Sequence, residues 1–71
     1  LNAADEIAVG AFLEGRIRFP AIAEVVEETL AAVPVRQPES VAEVLAIDEE
    51  SRAAASEFVK ARAEVTGSLT T

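Results

Sequence analysis

The side chains in this sequence that are equipped to react are few: four serines, two groups of carboxylates and a pair of arginines. Ser40, Ser51, Ser56 and Ser68 are the candidate nucleophiles. A serine hydroxyl attacks poorly until a neighbouring base takes its proton, and the sequence holds no His to do that. Glu24, Glu27 and Glu28 form one acid group, and Asp48, Glu49 and Glu50 another. Converging acids hold a divalent cation or share acid and base roles, whereas the same spacing on a helix surface makes a solvated face. Without His the di-metal pattern of four-helix proteins, Glu plus Glu-x-x-His, cannot be assembled. Arg16 and Arg18 offer two cations to an anion, but their stems also suit covering apolar surface, and their heads pairing with nearby acids. The scattered Gly10, Gly15 and Gly67 and the single Lys60 build no phosphate cradle. The residues point to no catalytic, cofactor-binding or metal-binding position.

Composition narrows the classes further. Seventy-one residues make one domain at most, whose own core is modest. No Cys or His is present, so neither a disulfide nor a zinc site staples it. Thirteen acids against six basic residues leave a net charge of −7, which disfavours nucleic acid and an anionic membrane surface alike. No run approaches the length of a membrane span, and the start has no basic stretch followed by an apolar one, as a signal peptide requires. The sequence opens on Leu1 rather than Met, which reads as a fragment or a processed chain.

What would position any of these groups is helix throughout, because the 51% apolar content is rich in alanine and lacks the alternation of a strand. The first helix is predicted over Ala3 to Glu14, with Asn2 as N-cap, Asp5 in the first turn and Gly15 ending it. Ile7, Ala8, Ala11 and Phe12 form its apolar stripe. Gly10 in mid-helix costs about 1 kcal/mol against Ala unless a neighbouring backbone needs the space. Pro20 opens a second helix that reaches Val33 and buries Ile22, Val25, Val26, Leu30 and Val33. Pro34 and Pro38 bracket a loop. Ser40 and Glu43 then form an S-x-x-E capping box for a short helix carrying Val41, Val44 and Leu45. Asp48, Glu49 and Glu50 read as a second start, so the chain is predicted to turn near Ile47 and Asp48. A last helix from Glu49 to Val65 buries Ala54, Ala55 and Phe58, with Ala61 or Val65 completing the face. Thr66-Gly67 reads as a stop, and 66–71 as a disordered polar tail. The expected fold is all-α, a small antiparallel bundle of three long helices and one short one occupying residues 1–65.

Leu1-Asn2-Ala3-Ala4-Asp5-Glu6-Ile7-Ala8-Val9, then Ala11-Phe12-Leu13 and Gly15-Arg16-Ile17-Arg18-Phe19, resembles the start of the C-terminal helical domain of 1-deoxy-D-xylulose 5-phosphate (DXP) reductoisomerases. That family opens this domain with LNAANE or LNAADE, an apolar helix and a G-[RK]-I-x-F turn. The likeness continues at Ile22 and Val26, then at Ser40-Val41-Ala42-Glu43-Val44-Leu45-Ala46-Ile47-Asp48 and Arg52-Ala53, similar to the family's S-[LV]-x-[DE]-V-L-x-x-D and the element after it. It covers roughly residues 1 to 65, and the nine-residue opening is its specific part. Phe19-Pro20-Ala21-Ile22 departs from the more polar residues usual after that Phe, and the tail after Val65 has no counterpart.

The resemblance implies a parent enzyme with an NADPH-binding Rossmann domain, a central catalytic domain and this C-terminal bundle. Such an enzyme rearranges DXP and reduces the intermediate to 2-C-methyl-D-erythritol 4-phosphate in non-mevalonate isoprenoid synthesis. NADPH and a divalent metal, Mg or Mn, are implied for the parent, whose ligands belong to the central domain; no site residue carries over to this segment. Its implied partners are the other two domains of the same chain, in a homodimer, with no nucleic acid and no membrane. The implied location is the bacterial cytoplasm, or the plastid for other members. The bundle would buttress the catalytic domain, with Val9, Leu13 and Ile17 facing the other domains. Two readings compete. A stand-alone helical interaction module would carry the same kind of apolar face. An acyl carrier protein is also a small acidic bundle with a serine opening a helix near mid-chain. Its motif is D-S-L, however, whereas Glu39-Ser40-Val41 follows a proline and forms a capping box.

Overall fold

The computed structural model describes the backbone of residues 2–34 and 36–70 and the side chains of residues 3–34 and 36–63. Three helices and, among the described residues, no strand make up the chain: α1 (Asn2–Leu13), α2 (Phe19–Ala32) and α3 (Val41–Thr70). Each helix packs on both of the others. The molecule is elongated, 47 × 19 × 16 Å, because the 30 residues of α3 rise about 45 Å while α1 and α2 are less than half as long.

The end of α1 follows the sequence signal closely. Gly15 takes φ +76°, its N–H donates to the Phe12 carbonyl at 2.9 Å, and the Arg16 N–H donates to the Ala11 carbonyl at 2.9 Å. These two bonds are the Schellman arrangement, which satisfies carbonyls that the helix itself leaves open. The chain reverses through Ile17, and Phe12 meets Phe19 edge to face with ring centroids 5.6 Å apart. α2 starts at Phe19, one residue before Pro20, with Arg18 extended at the cap and making no side-chain cap bond. The Asn2 cap rests on a side chain outside those described.

The predicted turn near Ile47 and Asp48 does not occur: the short helix and the last helix are one continuous α3. Nothing in Ala46-Ile47-Asp48-Glu49 breaks a helix, and the acids taken as a start signal have other work. Asp48 accepts from Arg52 Nε one turn on, at 2.8 Å, and Glu50 accepts from Arg36 of the preceding loop. α3 also passes Thr66 and Gly67 without ending, its helical backbone reaching Thr70. The side chains of 64–71, including Val65 and Ser68, lie outside the described residues.

The core is built of small residues. Ala4, Ala8 and Ala11 of α1, Ile17, Val25 of α2, and Ala55 and Val59 of α3 are buried together, with Phe12, Ile22 and Phe58 packed at the edge. Ile17, expected to face outward, is buried within this cluster. Leu30, expected inside, is 45% exposed, and Thr29 takes the buried position with its hydroxyl donating to the Val25 carbonyl at 2.7 Å. α2 thus turns toward its partners by one residue from the face that hydropathy alone selects. Ala61 is exposed and Ala54 half-buried, while Val59 and Ser51 are fully inside.

Two glycine substitutions separate conformation from space. A Cβ at Gly10 would meet nothing, so Gly10→Ala is expected to stabilise the chain by about 1 kcal/mol. Gly15 has equal room but a left-handed backbone, so Gly15→Ala is expected to destabilise it by about 1–2 kcal/mol. Urea unfolding followed by circular dichroism reads both; shifts of the same sign would contradict this account.

Candidate functional site

The structure engages Ser40, Glu24, Glu28, Asp48 and Glu50 in capping and in ion pairing. Ser40 is the cap of α3: its Oγ accepts from the Glu43 N–H at 3.1 Å, and the Glu43 carboxylate accepts from the Glu39 N–H at 3.0 Å. This is a capping box whose return bond falls one residue upstream of the usual place. Ser56 is exposed beside Gly10 and Glu14 in a shallow groove between α1 and α3. Ser51 is 1% exposed, and its Oγ has no hydrogen-bond partner among the described residues. A buried hydroxyl without base or acceptor has nothing to take its proton, so the geometry gives Ser51 a packing role.

The acids are drawn apart by arginines. Arg62 of α3 donates to Glu24 at 3.3 Å and also to Glu28, both on α2. Arg52 donates to Asp48 on its own helix and reaches Glu6 on α1. Arg36 holds both oxygens of Glu50 at 3.0 Å, tying the loop to α3. Three arginines therefore fasten α3 to each segment beside it. Glu27 and Glu49 are exposed. Arg16 sits 3.5 Å from Glu14 at the surface, while Arg18 borders a groove of about 470 Å³ with Ile17, Pro20, Ala21 and Ala61. Arg62 lines that groove too, but its guanidinium is committed to the two glutamates.

These pairings perturb ionisation in one direction. The hydrogen bond from Arg62, with its charge, holds the Glu28 carboxyl below the usual range, against a smaller opposing effect of burial. Arg62 and Arg52 are raised, chiefly by Glu28 and Asp48 respectively, and stay charged at any ordinary pH. Among the described residues no three acids converge on a cation-sized space.

Comparison with known proteins supplies what geometry does not. The family model described as the DXP reductoisomerase C-terminal domain matches residues 1–54. The chain belongs to that family. It is 59% identical over 63 residues to a 1-deoxy-D-xylulose 5-phosphate reductoisomerase of Solibacter usitatus, a match covering 89% of this chain and 16% of the relative. Against the Burkholderia multivorans reductoisomerase the figures are 54% over 59 residues, 83% of this chain and 15% of the relative. The reductoisomerase of Pseudomonas fluorescens is 48% identical over the same shares. The chain thus spans about one sixth of the length of the relatives it matches. No solved structure gives a significant match.

Within this reductoisomerase C-terminal domain, sequence reasoning missed the buried Ser51 and the reach of Arg62. The Asp48–Arg52 spacing of four was a readable signal; nothing in the sequence pairs Arg62 with acids 34 and 38 positions earlier.

The Glu28–Arg62 pair predicts a specific acid response. A carboxylate held below its ordinary value of 4.5 adds stability that is present above that pH and is lost as pH falls through the lowered value. Protonating the other acids relieves the repulsion of a −7 chain and acts in the opposite sense. Arg62→Gln removes the contacts to Glu28 and Glu24 together: wild type should be the more stable above pH 4.5, and the gap between the two melting curves should narrow as pH falls below it. A constant gap at every pH would contradict the assignment. Ser51→Ala, which removes the unpartnered hydroxyl, is expected to stabilise by about 1 kcal/mol in denaturant unfolding, and a loss of that size would reveal a bond that the geometry does not contain.

Proposed function

We propose that this chain is the non-catalytic C-terminal structural domain of a reductoisomerase that converts 1-deoxy-D-xylulose 5-phosphate to 2-C-methyl-D-erythritol 4-phosphate with NADPH. The observation that carries the reading is the 59% identity to a protein of that name across 89% of the chain. Its internal chemistry agrees, because Ser40, Ser51, Glu24, Glu28, Asp48 and Glu50 serve capping, packing and ion pairing. The catalytic, cofactor and metal positions of the parent then lie outside these 71 residues, with NADPH and Mg or Mn held by its other domains. Those domains are the partners of this one, in a homodimer. A bacterial cytoplasmic location fits the relatives, and no described helix is long and apolar enough to cross a membrane.

We place the domain at residues 1–65 and its helices in alternating directions. Glu6 pairs with Arg52, whereas Glu24 and Glu28 at the middle of α2 reach Arg62 further along α3, and Arg36 beyond α2 returns to Glu50. The bundle buttresses the rest of the enzyme through its outward apolar residues. Val9 and Leu13 of α1 are 41% and 76% exposed, and Phe19 at the start of α2 is 68% exposed. Ile17 has no part in that surface.

The test is kinetic and uses the full-length parent protein. It is expected to oxidise NADPH in the presence of DXP, and a folded parent without that activity would refute the reading. Glu27→Gln and Glu49→Gln should leave kcat within about twofold of wild type, against the roughly 10²–10⁴-fold loss that follows removal of a general acid or base.

A further inference from the structure

The buried face of α3 continues past the end of the bundle that buries it. Val59, Ala55 and Ser51 are inside, Asp48 and Ile47 are half-buried, and Val44 and Val41 complete the same stripe at steps of three and four. Val41 is 76%, Val44 50% and Leu45 62% exposed. The change comes where α1 runs out. Glu6 pairs with Arg52, 46 positions later, and Gly10 shares a groove with Ser56 at the same offset. That offset sets Asn2, the first residue of α1, level with Asp48. Residues 41–46 therefore project beyond α1, with their apolar side on the line that α1 would follow if it were longer.

The projecting turns are also built to be helical without packing. Val41 and Val44 are β-branched and lose side-chain freedom in a helix, so their own propensity does not favour those turns. The reciprocal Ser40, Glu43 and Glu39 bonds hold that end in place. A capped, pre-ordered helix end with three apolar side chains in water is a surface waiting for its cover. The family is a C-terminal domain, and the chain spans only 15–16% of its relatives, so the chain nearest that end is what precedes Leu1.

We propose that the residues directly preceding Leu1 in the parent chain run on beside α3 and cover Val41, Val44 and Leu45, completing the core at that end. The six exposed residues of α3 rise about 9 Å, the span of about six helical residues or three extended ones. The inference rests on the reading that the chain is part of a longer protein.

Cysteine pairing in the full-length parent tests it. Leu45→Cys is combined in turn with a cysteine at each of the six positions before Leu1, the protein is oxidised, and crosslinks are mapped by peptide mass. A crosslink within one chain at one or more neighbouring positions is expected. Crosslinks only between chains would assign the surface to a second copy and overturn the proposal, as would none at any position. Hydrogen exchange on the unmutated parent is the second reading: the amides of 45–48 should be protected within about tenfold of those of 51–59, and exchange at the rate of a fraying end would overturn it. Turnover of DXP by the same preparation is measured separately. A within-chain crosslink in an inactive parent would refute the enzymatic reading and leave this one standing.

Discussion

Alanines at the seam between α1 and α3 set the terms for everything else in this domain. Ala4, Ala8 and Ala11 face a helix whose buried positions among the described residues are Ser51, Ala55 and Val59, and among those residues no buried side chain on either helix is larger than valine. Small side chains exclude water only when backbones come close, so the two helices must approach tightly for the seam to be dry. Larger residues such as Phe12, Ile22 and Phe58 are then left to seal the edges rather than to fill the centre.

A core of this kind buries little apolar area, and the charges compensate in specificity more than in energy. Partly exposed ion pairs contribute modestly to stability, but Arg52, Arg62 and Arg36 each meet a partner at only one alignment of the helices. A slip of one turn along α3 would part Arg52 from Glu6 and Glu50 from Arg36. The same pairing sets how the carboxylates are distributed. Acids engaged one by one along helix faces are spread apart, whereas metal binding and proton transfer need them gathered.

Apart from Leu30, the exposed large apolar side chains among the described residues fall into two groups that differ in kind. Val9, Leu13 and Phe19 flank α1 and the start of α2, on the outside of helices whose inner faces are already satisfied. Val41, Val44 and Leu45 instead extend an inner face. A domain with both can be joined to a larger body through one and completed by neighbouring chain through the other, which suits a supporting element more than a free-standing molecule.

Much of this was legible in the residues. Alanine content and the missing strand alternation gave helix; Gly15, Pro20 and the Ser40–Glu43 box gave ends within a residue or so of those observed, because turn and cap chemistry is local. The opening nine residues pointed to the family that the comparisons then showed. What the residues misplaced depended on neighbours distant in sequence. Asp48, Glu49 and Glu50 look like a helix start until Arg52 and Arg36 are seen to engage two of them. Leu30 outranks Thr29 in hydropathy, yet the threonine hydroxyl donates to the Val25 carbonyl within α2 and so is satisfied when buried. Ile17 sits in a turn with no periodicity to read, and only the fold of α1 back onto α2 brings it inside. Local chemistry fixed both ends of α1 and α2 and the start of α3; the continuity of α3 through Asp48, which face each helix buries, and how far α3 runs past its neighbours came from the approach of three helices to one another.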